Sequence, residues 1–196
     1  MFLIQPDYIS IHRAGAKGRG VFAVKTIRKG MVIGDYLGKV IPIVDYETTA
    51  NPNELYIMSF TDNAFLYPDV TKPGVHLFNH SCMPNCWIYV YRGHTLFFAL
   101  RDIIPGEELT ISYLLSPKDE SCNPCTHGCR CESDYCTGTM HLTRAKYVLW
   151  QEFQNRMKRK MKMAPFRAGE YLPRLVRYPK RIPIDPIYTK LSQVRE

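Results

Sequence analysis

The sequence predicts a mainly β fold with few short helices, followed by a cysteine-rich segment and a C-terminal helix with an extended tail. Three observations predict it. Up to residue 115 the apolar segments are short, β-branched and aromatic, and Gly, Pro, Asn and Asp punctuate them. Residues 116–140 hold five of the seven cysteines and few apolar side chains. From Leu142 onward apolar residues recur at steps of three and four.

Each element follows from its local pattern. "MFLIQPDYISIH" reads as a first strand: it lacks a basic leader region and its apolar run breaks at Gln5-Pro6. "VFAVKTI", "MVIGDYLGKVI", "NAFLYP", "CWIYVY" and "TLFFALRDI" read as further strands in small curved sheets. Residues 8–115 therefore form the main domain, with residues 42–75 as an insert carrying one short helix near 45–49. Residues 116–140 cannot fold on a core of their own and need a metal. Leu142, Ala145, Leu149, Phe153 and Met157 set out one amphipathic helix over 143–161, with Trp150 beside the stripe and Pro165 as its stop. Residues 141–196 thus comprise that helix and a proline-containing tail too apolar for a free linker, which is expected to lie extended across the domain.

Composition narrows the function. No apolar run is long enough for a transmembrane helix, so an intracellular protein without membrane contact is expected. In such a chain cysteines this closely spaced favour metal binding over disulfides, with a buried reduced thiol the alternative for Cys86. The net charge of +8 is uneven: residues 1–140 carry −2 and residues 141–196 carry +10. The run "RMKRKMK" at 156–162 suits nucleic acid or acidic partners, or is the solvated face of a helix.

Four stretches carry chemistry. "AGAKGRGVFA" places three glycines in six residues before an apolar strand, which lets backbone approach a ligand closely, and Lys17 and Arg19 add positive charge. "GDYLGKV" sets Tyr36 in mid-strand near Gly38. "NHSCMPN" puts Asn79 and His80 where burial demands partners, which a ligand with amine, carboxylate and adenine edges would supply. "GEELTISY" ends a strand on Tyr113, whose hydroxyl could be held by backbone groups in a pocket.

The order of these motifs resembles the SET-domain protein-lysine N-methyltransferases over residues 8–140. "KGRGVFA", "YLG", "NHSCMPN" and "GEELTISY" are similar to that family's cofactor and catalytic motifs, and "CRCESDYCTG" to its post-SET zinc-binding segment. The resemblance implies a SET-domain fold with a C-terminal pseudoknot, in which residues 107–113 lie beside 79–85. It implies S-adenosylmethionine as methyl donor, a lysine-bearing protein or peptide (a histone in first place) as substrate, and a structural zinc. Tyr113 matches the catalytic tyrosine and Tyr36 the tyrosine lining the lysine channel. Lys17, Gly18, Arg19 and Gly20 match the loop around the methionine moiety. Asn79 and His80 match the adenine-holding pair, with Met140 packing on the adenine face. Cys82 joins Cys129, Cys131 and Cys136 as the favoured zinc set. A rival set pairs Cys122 and Cys125 with two of the later cysteines, and otherwise those two are free or bind a weak second metal. The peptide would lie as an added strand near residues 56–62.

The chain departs from the family at several positions. Ser112 stands where aspartate is common, and Ile111 where Phe or Tyr often tunes product state. With Ile88 at another position near the channel in some members, the number of methyl groups stays open, the roomier channel pointing toward di- or trimethylation. Glu132 replaces a glycine and Lys39 an acid. A monomer is expected, in the nucleus on chromatin or in the cytoplasm. Two other classes remain: a degenerate SET domain that binds peptide or chromatin without catalysis, and a zinc-stabilised nucleic-acid-binding protein led by residues 141–196.

Overall fold

A computed structural model describes residues 1–45, 56–120, 122–158 and 167–192. Among the described residues ten short strands form four small sheets. β1 (Ile9–Arg13) pairs antiparallel with β2 (Arg19–Ala23). β3 (Val32–Asp35), β8 (Cys86–Tyr91) and β9 (His94–Ala99) form a sheet in the order β3-β9-β8. β4 (Lys39–Pro42), β5 (Met58–Thr61) and β6 (Ala64–Tyr67) form another in the order β4-β6-β5. β7 (Asn79–His80) pairs in parallel with β10 (Thr110–Ile111). α1 (Arg144–Lys158) and α2 (Pro186–Ser192) are the α-helices among the described residues.

Local sequence explains the turns. Arg92 and Gly93 join β8 to β9 with φ of +50° and +78°, the left-handed pair that a two-residue hairpin requires. Gly38 separates β3 from β4, and a Cβ there would lie 2.4 Å from the Tyr67 carbonyl oxygen. That close backbone approach leaves room for no other residue. Thr143 caps α1, its Oγ1 accepting from the Lys146 N–H at 3.3 Å.

β9 is buried along its whole length because both faces of its sheet are covered. Phe97 and Ala99 point into a first core with Val21, Ile33, Leu66, Leu77 and Phe78. Leu96 and Phe98 point into a second core with Trp87, Trp150, Phe153, Tyr188 and Leu191. The second core is thus made by the sheet and the C-terminal helices. Its rings meet edge-on or tilted, Trp87 to Trp150 at 6.0 Å and Phe98 to Tyr188 at 5.2 Å, geometry that adds to the burial of each ring.

The tail crosses the domain without helix or strand over residues 167–185, but Pro186–Ser192 fold as α2, a helix that the extended-tail expectation omitted. Val32 N–H donates to Lys180 O, Ile182 N–H to Gly30 O and Leu172 N–H to Gly38 O. Tyr178 donates to the fully buried Asp35 carboxylate at 2.8 Å, and His94 Nδ1 contacts the same oxygen at 2.7 Å. A polar knot under the sheet therefore ties the tail to the core.

Several expectations need correction. The N-terminal strand begins at Ile9; before it Phe2 makes a single bridge to Gly34 and residues 6–8 form a short 3-10 turn. Tyr36 is not in mid-strand but follows β3, where the chain breaks to pass Gly38. The 42–75 insert supplies the β5–β6 hairpin, which completes a sheet with β4. Residues 43–45 form a 3-10 turn, and the rest of the predicted helix at 45–49 lies outside the described residues. Trp150 is buried and Ala145 exposed, so the buried face of α1 is rotated toward the tryptophan: the larger ring takes the core position. Of the basic run 156–162, residues 159–162 lie outside the described residues.

Trp150→Ala is expected to cost about 3–5 kcal/mol, the range for emptying an aromatic site. Denaturant unfolding measures it; an unchanged midpoint would mean that α1 is no part of the cooperative core.

Candidate active site and metal centres

The site grows from one threaded segment. Residues 107–113 run between β2 and the 79–85 stretch. On one side Ala23 N–H donates to Glu107 O and Leu109 N–H to Val21 O. On the other, Thr110 pairs with Asn79 and Ile111 with His80, and Ser81 N–H donates to Ile111 O. The buried Asn85 side chain substitutes for further ladder bonds. Its Nδ2 donates to Glu108 O at 2.8 Å and its Oδ1 accepts from Thr110 N–H at 2.9 Å. Asn85 and Glu108 were not singled out from sequence, although both lie within the quoted motifs.

A charged cradle forms where the glycine loop meets this segment. Lys17 pairs with Glu108, and Asn79 Nδ2 donates to Glu108 Oε1 at 2.7 Å and to Arg19 O at 3.0 Å. Gly20 makes this convergence possible. A Cβ there would sit 2.6 Å from Glu108 Oε1 and 3.0 Å from Asn79 Nδ2. One cation, one carboxylate and one amide within a small space suit a zwitterionic amino-acid group. Gly18, with φ of +85° and an open face, continues the loop.

Tyr113 closes the segment. Its hydroxyl donates to Phe78 O at 3.3 Å, and Leu114 turns the chain sharply behind it with φ of +56°. Ser112 steadies that turn, its Oγ accepting from Leu114 N–H at 3.3 Å. The residue remains 40 % exposed, while burial of its hydroxyl pushes the pKa up to about 12. Tyr36 is buried, donates to Tyr56 O and is shifted up further, again mainly by burial. The Tyr36, Tyr56 and Tyr113 phenols lie near enough to influence one another electrostatically. Tyr36 and Tyr113 are therefore neutral hydrogen-bonding groups at pH 7, and neither is a phenolate base.

His80 links this pocket to the cysteines. Its Nδ1 accepts from Tyr113 N–H at 3.2 Å, which leaves the proton on Nε2, 3.5 Å from Cys82 Sγ. Burial lowers its pKa to about 4, so the ring is neutral. Cys82, Cys129, Cys131 and Cys136 bring their sulfurs within 4.8 Å of one another. The Cys82–Cys129 separation of 3.7 Å matches the edge of about 3.8 Å expected for a tetrahedron with zinc–sulfur bonds near 2.3 Å. Cys122 and Cys125 join neither these sulfurs nor the rival set; they gather with His127 and His141. Neither histidine was singled out from sequence. Cys86 is a fully buried thiol, pushed well above its ordinary pKa by burial and held by Asn85 Oδ1. Met140 follows the isolated Gly128–Thr139 bridge, its N–H donating to His127 O.

Glu132, where a glycine was expected, adopts φ of +56°. A non-glycine residue in that region is strained by roughly 1–2 kcal/mol. Glu132→Gly is expected to raise stability by about 1 kcal/mol or less, after the added freedom of the unfolded chain. Gly138→Ala, at φ of +72°, is expected to lower it. Paired thermal melts check both; a destabilised Glu132→Gly would assign that side chain a contact of its own.

Residues 18–114 match the SET domain family. The chain is 31% identical over 131 residues to the histone-lysine N-methyltransferase trithorax of Drosophila virilis, covering 62% of this chain and 3% of that protein. It is 33% identical over 134 residues to human histone-lysine N-methyltransferase 2B, covering 63% of this chain and 5% of that one. It is 32% identical over 142 residues to histone-lysine N-methyltransferase TRX1 of Oryza sativa, covering 66% and 13% respectively. The chain thus spans a small fraction of the length of these relatives. No described helix is long and apolar enough to cross a membrane. With the matched residues running from the glycine loop through the threaded Tyr113 segment, the chain carries a SET domain, which it shares with relatives named histone-lysine N-methyltransferases.

Proposed function

We propose that this chain transfers a methyl group from S-adenosylmethionine to the ε-amine of a lysine in a basic protein, with histones as the substrate class. The observation that supports it most is the meeting of the three-tyrosine pocket with the Lys17–Asn79–Glu108 cradle across one short segment, residues 107–113. The names of the relatives support the histone reading.

The donor set of the cradle fits the cofactor. Glu108 and Lys17, with Arg19 and the backbone of Gly18 and Gly20, would hold the methionine ammonium and carboxylate. Asn79 and His80 would stand beside the adenine, with Met140 on its face. When bound, S-adenosylmethionine supplies an electrophilic methyl group on a sulfonium. The chain's own residues do the rest. Tyr113 orients the incoming amine through its neutral hydroxyl. Tyr36 and Tyr56 exclude water around the lysine stem, whose ammonium has a pKa of about 10.4 in water. Desolvation in that aromatic surround lowers it and favours release of the proton to solvent. Fixed orientation of the two reacting groups supplies much of the remaining acceleration. Ile111 and Ile88 leave aliphatic walls, which favours di- or trimethylation over single transfer.

β5 is the edge strand of its sheet, and Tyr56, two residues before it, accepts the Tyr36 hydrogen bond. An extended substrate peptide added at β5 would reach the tyrosine pocket directly. A structural zinc on Cys82, Cys129, Cys131 and Cys136 would brace His80 and, through it, Tyr113.

Tyr113→Phe is expected to cut methyl transfer to core histones on the order of 100-fold or more while the fold is retained. Labelled cofactor and circular dichroism measure the two quantities; an unchanged rate would remove Tyr113 from the site. The wild-type rate is expected to climb from about pH 7 to 9.5, because the substrate amine deprotonates toward about 10.4 while Tyr113, near 12, stays protonated. A flat profile would contradict rate control by amine deprotonation.

A further inference from the structure

We propose that Cys122, Cys125, His127 and His141 form a second structural zinc site, separate from the four-cysteine group. All four donor atoms lie within 4.8 Å of one another. Cys122 Sγ is 3.5 Å from His127 Nδ1 and 3.3 Å from His141 Nε2. Cys125 Sγ is 4.0 Å and 3.6 Å from the same two atoms. A tetrahedron with zinc–sulfur bonds near 2.3 Å and zinc–nitrogen bonds near 2.05 Å has sulfur–nitrogen edges of about 3.6 Å. The four observed edges scatter around that length.

The surroundings are built for ligation. His141 Nδ1 donates to Ser116 O at 2.6 Å, which fixes the proton on Nδ1 and turns the Nε2 lone pair toward the sulfurs. The two imidazoles stand at 86° with centroids 4.9 Å apart, as rings converging on one point would. His127 is held by its carbonyl, which accepts from Met140 N–H at 2.9 Å. Two thiolates and two neutral imidazoles balance a divalent ion, with each thiol giving its proton to solvent on binding.

An energetic argument points the same way. No described residue between 116 and 140 is buried, so this stretch has no apolar core of its own. The four-cysteine group anchors residues 129–136 to Cys82. It leaves residues 116–128 without an anchor of comparable strength, and the second site supplies one. It also reaches the catalytic segment from its far side. Leu115 bridges His141 and accepts from Leu142 N–H, only two residues after Tyr113. The ion would therefore fix the exit of the Tyr113 strand and the start of α1 together.

The test is metal content of the full chain purified without chelators, with cobalt substitution beside it. Two zincs per chain are expected, falling to one in His141→Ala and, independently, to one in Cys82→Ser. Wild-type protein loaded with cobalt should show the absorption of a mixed sulfur–nitrogen site besides that of an all-sulfur site. The cobalt spectrum requires no variant to fold. One zinc per chain with only all-sulfur absorption would overturn the proposal. So would loss of two titratable thiols to a Cys122–Cys125 disulfide.

Discussion

The buried amide of Asn85 is the constraint on which the rest of the structure depends. A chain segment that passes between two others needs hydrogen bonds on both flanks, and the β7–β10 ladder reaches back only to Thr110. Asn85 supplies the other flank with one donor and one acceptor. An apolar residue in its place would leave a buried carbonyl and a buried N–H unsatisfied, each costing about 1–3 kcal/mol. Everything that gives the site its chemistry hangs on that placement: Glu108 toward the glycine loop, Tyr113 toward Phe78, and His80 toward Cys82.

Parts of this arrangement were legible in the sequence because they obey local rules. The Leu142–Phe153 pattern announces a helix, since 3.6-residue spacing places those residues on one face. The β8–β9 hairpin follows from two apolar runs around a glycine-containing turn. Tyr113, Tyr36 and Asn79 were legible through the resemblance of their motifs, not through any physical property of the residues taken singly. Other parts were not legible. Asn85 and Glu108 meet across 23 residues of chain, and no periodicity records such a pairing. Trp150 displaced Ala145 from the buried face because the partner surface, around Trp87 and Tyr188, comes from distant segments. His127 and His141 escaped notice because their cysteine partners invited an all-sulfur reading; a cysteine pair followed closely by histidine was the available signal.

The tyrosine pocket and the four-cysteine group meet at His80. Its ring takes a hydrogen bond from the backbone of Tyr113 on one edge and faces Cys82 on the other. A neutral imidazole of fixed tautomer passes positional information between the two without carrying charge. The position of Tyr113 thereby becomes sensitive to the four-cysteine group.

The tail also has a bearing on the molecule's solution behaviour. Residues 169–172 occupy the outer edge of β4, where Val40 N–H donates to Glu170 O and Gly169 N–H to Val40 O. Without that strap, the sheet would present unsatisfied backbone groups on β4 as well as on β5. Two open edges on one small sheet make a template for end-to-end stacking of copies. The strap is thus a seal against self-association, and among the described residues it leaves β5 as the sheet edge to which a foreign strand can add.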